Sequence, residues 1–317
     1  MALVYRAHFA LIRNPIYTSK GINSSAIYGF TNTLVDLLAK QEPTHIAVVF
    51  DTPAPTERHE IFPEYKAQRD AMPEDLSVAI PEVKKLIKAF NIPVIEKDGY
   101  EADDVIGTLA KRAVSDDSEC EVFMVTPDKD FAQLVEERVK IFKPGKAGNE
   151  PEIIGIDAIR ETWNVQSSEQ VIDILGLWGD ASDNIPGVPG IGEKTAKKLV
   201  AEYGGVEQLI DNIDKLKGKQ KENVENNQEQ ALLSKKLATI IIDAPVDLDW
   251  DDLKLEEKNT DAVAGIFVEF EFNSLGKRLL GEDFVAGRGF ESDEQDGDES
   301  EAVLKTIDDV DHDYSHI

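Results

Sequence analysis

This sequence predicts an α/β fold: a mostly parallel sheet flanked by helices, followed by a helical subdomain. Three observations carry that expectation. Short β-branched runs alternate with helical stretches through the first half, the pattern of a parallel sheet covered on both faces. Several of those runs end at, or lead into, carboxylates. From about residue 156 onward the strand signals fade and helical patterns dominate.

The elements follow in order. Residues 26–40 place Ile27, Phe30, Leu34, Leu37 and Leu38 at helical spacing. Residues 45–50, H-I-A-V-V-F, read as a buried strand. Residues 52–80 hold Pro53, Pro55, Pro63 and Pro73, with Arg58, Lys66 and Arg69 between them. That predicts a long, partly irregular, basic connection of the kind that carries function. Residues 80–90 read as a helix started by Pro81. A short strand at 93–95, a helix at 103–114, a strand at 121–125 and a helix at 130–137 complete the alternation. Farther on, Gly190-Ile191-Gly192 reads as a tight turn opening a helix that carries Lys194, Thr195, Lys197 and Lys198. Bare N–H groups at a helix start bind phosphate, and glycines let a DNA strand approach closely. This is the form of a helix–hairpin–helix, which reads DNA backbone rather than sequence. Residues 215–221, K-L-K-G-K-Q-K, add a basic patch. Residues 286–317 mix Gly, Ser and acids and read as a disordered linker. The chain therefore divides into 1–155, an α/β unit with an arch at 52–80; 156–285, a helical unit; and 286–317, an acidic linker.

Composition sets limits. The chain has 317 residues, enough for two domains with real cores. Cys120 is the single cysteine, which excludes an internal disulfide framework and suits a reducing cytoplasm. No apolar run reaches the roughly 18 residues of a membrane span, and no basic-then-apolar leader precedes the first elements. The net charge of −28 argues against nucleic acid until its distribution is considered. The tail 286–317 holds eleven acids against Arg288 and Lys305. Local basic patches, not the global charge, are the guide to DNA binding.

The acids gather in four clusters: V-V-F-D ending at Asp51, Y-E-A-D-D at 100–104, T-P-D-K-D at 126–130 and G-D-A-S-D-N at 179–184. Open α/β sheets place ligands at the carboxyl ends of their strands. Asp51, Glu101, Asp103, Asp104, Asp128, Asp130, Asp180 and Asp183 would converge there. So many like charges share a pocket only around a cation. Oxygen donors suit hard divalent ions, and two such ions about 4 Å apart form a clamp for phosphodiester hydrolysis. Plainer readings stand beside this one. Any single cluster is equally a solvated surface, and Asp103 and Asp104 would complement a helix dipole. Lys66 and Arg69 would serve as ordinary surface cations. Trp163, Trp178 and Trp250 suit core anchoring better than base stacking. The five histidines show no metal-ligand spacing.

Taken together, V-V-F-D, R-H-E-x-x-P-E-Y-K-A-x-R, G-Y-E-A-D-D-V-I-G-T-L-A, T-x-D-K-D and G-D-x-S-D-N-I-P-G-V-P-G-I-G-E-K-T-A resemble the 5′-nuclease domain of bacterial DNA polymerase I, within the flap endonuclease superfamily. The resemblance runs from Met1 to about residue 285. It implies a PIN-like nuclease fold and 5′→3′ cleavage of 5′ flaps, nicked duplexes and RNA primer–DNA hybrids in replication and repair. Asp51, Glu101, Asp103 and Asp104 match first-metal acids, and Asp128, Asp130, Asp180 and Asp183 match second-metal acids, for two Mg²⁺ or Mn²⁺ ions. Lys66, Arg69 and Arg6 match cations at the scissile phosphate. Tyr5 and Tyr65 match residues that stack on bases, and Arg58 belongs to the same DNA-binding arch. Gly190, Gly192, Lys194, Thr195, Lys197 and Lys198 match the hairpin that grips the duplex, with K⁺ on its carbonyls. A cytoplasmic, nucleoid-associated monomer is expected, with no membrane partner.

Two departures qualify it. The family's first strand, with Asp-Gly before M-A-L-V-Y-R, does not precede Met1, as in a fragment or a chain with a misassigned start. The last residues resemble the lead-in to a proofreading domain, so linked polymerase domains are expected as partners. Two other readings compete: a DNA-binding nuclease fold without catalysis, and a PIN-type ribonuclease, against which the helix–hairpin–helix argues.

Overall fold

A computed structural model describes residues 1–145 and 150–286. The expectation for 286–317 falls outside the described residues, apart from Ala286.

The chain opens with helices α1 (Ala2–Leu11) and α2 (Ser25–Gln41), packed on each other through Val4, Ile27 and Phe30. Gly29 makes this possible, because a Cβ there would lie 2.7 Å from that of Ala7. Strand β1 (Val48–Val49) is shorter than the run around it. His45 forms an isolated bridge to Lys254 instead. Helix α3 (Glu57–Ile61) is one turn closed by a Thr56–His59 capping box. Helix α4 (Glu74–Ala89) corrects the expected start at Pro81. Pro73 is the residue before its first turn, and Glu74 and Asp75 complement the helix dipole. Pro81 lies inside it on the exposed face, so the arch region is half helical rather than irregular.

Strand β2 (Val94–Ile95) pairs in parallel with β1. Helix α5 (Ala102–Asp116) and β3 (Val122–Val125) follow as expected. The helix expected at 130–137 is a 3₁₀ turn, Lys129–Leu134, started by Asp128 accepting from the Asp130 N–H. Strands β4 (Val139–Lys143) and β5 (Glu152–Ile154) lay hidden in a short V-K-I-F-K alternation and an isolated E-I-I. β3 and β4 are parallel, β4 and β5 antiparallel. The architecture is α/β, but among the described residues its strands form two small sheets, β1–β2 and β3–β4–β5.

Helices α6 (Ile156–Trp163), α7 (Gln170–Trp178), α8 (Glu193–Tyr203), α9 (Val206–Asp211), α10 (Gly218–Asn226) and α11 (Gln228–Ala238) form the helical half. It does not stand apart. One continuous core joins Met124, Phe131 and Ile141 to Ile174, Leu199 and Leu237. Nor does it run to residue 285. Helices α12 (Thr260–Glu269) and α13 (Asn273–Leu280) return to the first half, burying Val263, Phe267 and Phe284 with Ile27, Leu76 and Leu86.

Candidate active site

The site is built where chain segments leave β1 and β3 and where α5 begins. Asp51 lies two residues beyond β1 and accepts from the Ala102 N–H at 2.9 Å, which sets it at the start of α5. Glu101 precedes that helix and Asp103 sits in its first turn. Asp128 and Asp130 follow β3 through an Asx turn.

Asp180 and Asp183 occupy a loop after α7 that closes on itself, with Asp180 and Ile185 exchanging backbone hydrogen bonds at 2.9 and 2.8 Å. Its neck is Gly179 against Gly187. Both have positive φ, and a Cβ on either would lie 2.4 Å from backbone atoms across the neck. Only glycine fits there. The loop docks on the turn after α3. Lys66, at φ 57°, donates its N–H to the Asp183 carbonyl at 3.0 Å. Asn184 donates to the Glu64 carbonyl at 2.7 Å, and Gln68 to that of Ala181 at 2.7 Å.

This docking brings two carboxylates together on three side chains. Lys66 Nζ lies 2.7 Å from Glu101 Oε1 and 3.4 Å from Asp183 Oδ2. The Tyr65 hydroxyl lies 3.2 Å from Glu101 Oε2 and 3.1 Å from Asp183 Oδ2. Arg69 pairs with Asp183 from the exposed side. Lys129 bonds Asp180 and lies 3.3 Å from Asp130. The T-x-D-K-D motif contains Lys129, yet no site role was expected of it; its place between two clustered acids is the signal that points to one.

Electrostatics tie the clusters together. Burial pushes the Asp103 carboxyl well above its usual range, with the charges of Asp128, Asp51 and Glu101 adding to it. Asp103 keeps some accessible surface rather than lying in a sealed core. Burial likewise pushes Asp130 up to about 7, Lys129 opposing and Asp128 and Asp180 reinforcing. The pocket thus carries more negative charge than its own cations neutralise, and its donors are all carboxylate oxygens. That chemistry fits hard divalent cations. Among the described residues no group of three His, Cys, Asp or Glu side chains is placed to hold a metal ion directly.

Other expected site residues have different surroundings. Asp104 is fully buried and forked onto Arg58, itself only 6% exposed. Both are buried and taken up by protein partners, Arg58 Nη1 also lying 3.8 Å from Glu101 Oε2, which argues against their expected roles as metal ligand and DNA contact. Tyr65 is 3% exposed, so its ring is packing rather than a stacking platform. Arg6 donates to the carbonyls of Pro144 and Gly145 at 2.8 and 2.7 Å. Tyr5 stays half-buried, within the fields of Arg69 and Asp51.

In the hairpin, Gly190 has φ 78°, whereas Gly192 is an extended N-cap before α8. Lys194 and Lys198 are exposed and Thr195 half-buried. Lys197 is held by the Thr162 carbonyl and Glu193 over the Trp163 ring. Trp163 is thus core, as composition suggested.

Two family models match residues 1–261: 5′-3′ exonuclease, N-terminal resolvase-like domain, over residues 1–164, and 5′-3′ exonuclease, C-terminal SAM fold, over 166–261. The chain is 44% identical to DNA polymerase I of Bacillus caldotenax over 88% of its own length and 31% of the relative's. It is 37% identical to a 5′-3′ exonuclease of Aquifex aeolicus over 88% of its length and 92% of the relative's. Among solved structures it resembles a bacteriophage T5 flap endonuclease in a pseudo-enzyme-product complex with DNA and metal ions. That match has a TM-score of 0.61 and 22% identity, over 88% of this chain and 95% of that one.

Proposed function

The chain belongs to the 5′-3′ exonuclease family, and on that premise we propose that it is a divalent-metal-dependent nuclease cutting DNA at 5′ flaps and nicks, and RNA primers on DNA. It spans about a third of the length of the DNA polymerase I relative cited above (31%). Linked polymerase regions are part of the same proposal.

The convergence of carboxylates from two chain segments onto the Tyr65–Arg69 turn carries the reading. Asp51, Glu101 and Asp103 on one side, and Asp128, Asp130, Asp180 and Asp183 on the other, are the groups to hold two Mg²⁺ or Mn²⁺ ions. Such ions, once bound, lower the pKa of a coordinated water and neutralise phosphate charge. Lys66 and Arg69 present positive charge where a phosphate meets that cluster, suited to the charge that develops in the transition state. The hydroxyl of Tyr65 holds Glu101 and Asp183 in register. Gly190, Lys194, Thr195 and Lys198 line the start of α8 as the groups to meet a duplex backbone, Lys194 and Lys198 with exposed cations, and K⁺ is proposed to sit on the hairpin carbonyls.

The test is cleavage of a 5′-labelled DNA flap and of an unstructured RNA, each with Mg²⁺ and with chelator. Metal-dependent release of the DNA flap supports the proposal. Flap binding without cleavage at any Mg²⁺ or Mn²⁺ level, or preference for the RNA, overturns it.

A further inference from the structure

Directly behind Glu101, with Arg58 Nη1 3.8 Å from Glu101 Oε2, lies a buried polar cluster that the nuclease reading does not use. The Asp104 carboxylate is 0% exposed, and both its oxygens are saturated. Oδ1 accepts from Arg58 Nη2 at 2.7 Å and from the Ile241 N–H at 2.9 Å. Oδ2 accepts from Arg58 Nη1 at 2.8 Å and from the Glu101 N–H at 3.1 Å. The rest of the guanidinium donates to carbonyls at the end of α11 and just beyond, Leu237 at 3.0 Å and Thr239 at 2.6 Å. Residues 239–246 form an extended strap from the helical half back across α5. Thr108 accepts from the Ala244 N–H at 3.0 Å. Arg112 donates to the Val246 carbonyl at 2.7 Å. Gln133 both donates to the Ala238 carbonyl, at 3.0 Å, and accepts from the Ile240 N–H, at 2.9 Å. The strap lies close enough that a Cβ on Gly107 would meet Ile240 at 2.9 Å.

We infer that Arg58 and Asp104 form a latch binding three segments at one point: the arch root at α3, the start of α5 and the strap. They are positioning residues and touch neither substrate nor metal. Arg58 lies seven residues before Tyr65, and the Asp104 carboxylate holds the backbone of Glu101. The latch therefore sets where Glu101 and the Tyr65–Arg69 turn stand against Asp183. A forked, desolvated guanidinium–carboxylate pair is specific in geometry, and either partner left alone is costly. This rests on the proposed nuclease reading for its consequence, though not for its geometry.

The test compares wild type with Asp104→Asn, Arg58→Met and the double variant. Hydrogen exchange at 237–246 is read alongside Mn²⁺ affinity by calorimetry and flap cleavage. The latch predicts faster exchange at Ile241 in both single variants. It predicts Mn²⁺ affinity lowered about 10-fold or more in both, the usual effect of losing a partner that orients a ligand. The double variant should be no worse than the weaker single within about twofold, since both remove one interaction. Should Arg58→Met not fold, Arg58→Lys keeps the charge, loses the fork, and should show the same shifts at smaller amplitude. Weakened Mn²⁺ binding in Asp104→Asn with unchanged binding in Arg58→Met or Arg58→Lys would make Asp104 a ligand and overturn the latch. Faster exchange with unchanged Mn²⁺ affinity in every variant would leave the pair structural only, and also overturn it. A wild type that cuts no flap would instead refute the nuclease reading, while exchange and Mn²⁺ binding still decide the latch.

Discussion

Lys66 and Lys129 reach the carboxylates by different routes, and the difference sets what their loss should do. Lys66 is locked by its own backbone, with a left-handed φ and an N–H bond to the Asp183 carbonyl, so its ammonium stays between Glu101 and Asp183. Replacing Lys66 with Met should slow single-turnover cleavage by about 10²–10³-fold, as for a lost charge-stabilising donor. Flap affinity should change far less; equal losses in both would argue against a role in the transition state. Asp130 offers a second residue-scale test. Its folded pKa of about 7 exceeds the unfolded value, which is about 3.9. A raised carboxyl pKa favours folding when protonated, so its contribution is lost as pH rises through 7. In chelator, Asp130→Asn should match wild type below about pH 4 and melt higher than wild type above about pH 7. A melting difference that does not vary between those limits would contradict the shift.

At the scale of elements, much was legible where one signal dominated. Helix α2 announced itself by period, and α5 and β3 by runs bounded with acids. The misses have physical reasons. The sequence reading starts α4 too late because Pro81 reads as a first-turn proline. The stronger signal was Pro73 followed by Glu74 and Asp75. An interior proline loses a backbone bond and crowds the preceding turn. Pro81→Ala should therefore raise stability, by about 1–3 kcal/mol in a denaturant melt; a lower midpoint would mean that Pro81 has a packing role not visible in its exposure. Strand β5 was missed because three residues carry no period, and tertiary pairing with β4 decides them. In the site, motif order gave Asp51, Glu101, Asp103, Asp128, Asp130, Asp180 and Asp183 a common place. It could not separate Asp104 from Asp103. Neighbours on a helix face different ways, and a buried arginine 46 residues away claims one of them.

For the whole molecule, the composition break near residue 156 suggested a boundary that packing does not respect. The core around Phe131 and Ile141 is shared with Ile174 and Leu237, and Phe267 and Phe284 complete the core of α2 and α4. Removing either set would strip apolar surface worth about 25 cal/mol per Å². Residues 1–155 alone should therefore lack cooperative unfolding and show unprotected amides in hydrogen exchange. A cooperative melt of that fragment would restore the boundary read from composition. The same interlocking explains why the carboxylates converge: strand ends supply one set, and a loop of the helical half supplies Asp180 and Asp183.

Cleavage of a 5′-labelled flap duplex tests the central claim most directly, comparing the chain with an Asp130→Asn, Asp180→Asn double variant across a Mg²⁺ titration. The account predicts metal-dependent flap release by the chain, none in chelator, and a loss of about 10²-fold or more in the variant despite a stable fold. Full-rate cleavage by the variant, or cleavage undiminished in chelator, would contradict the reading of these carboxylates as the metal-binding centre of a nuclease.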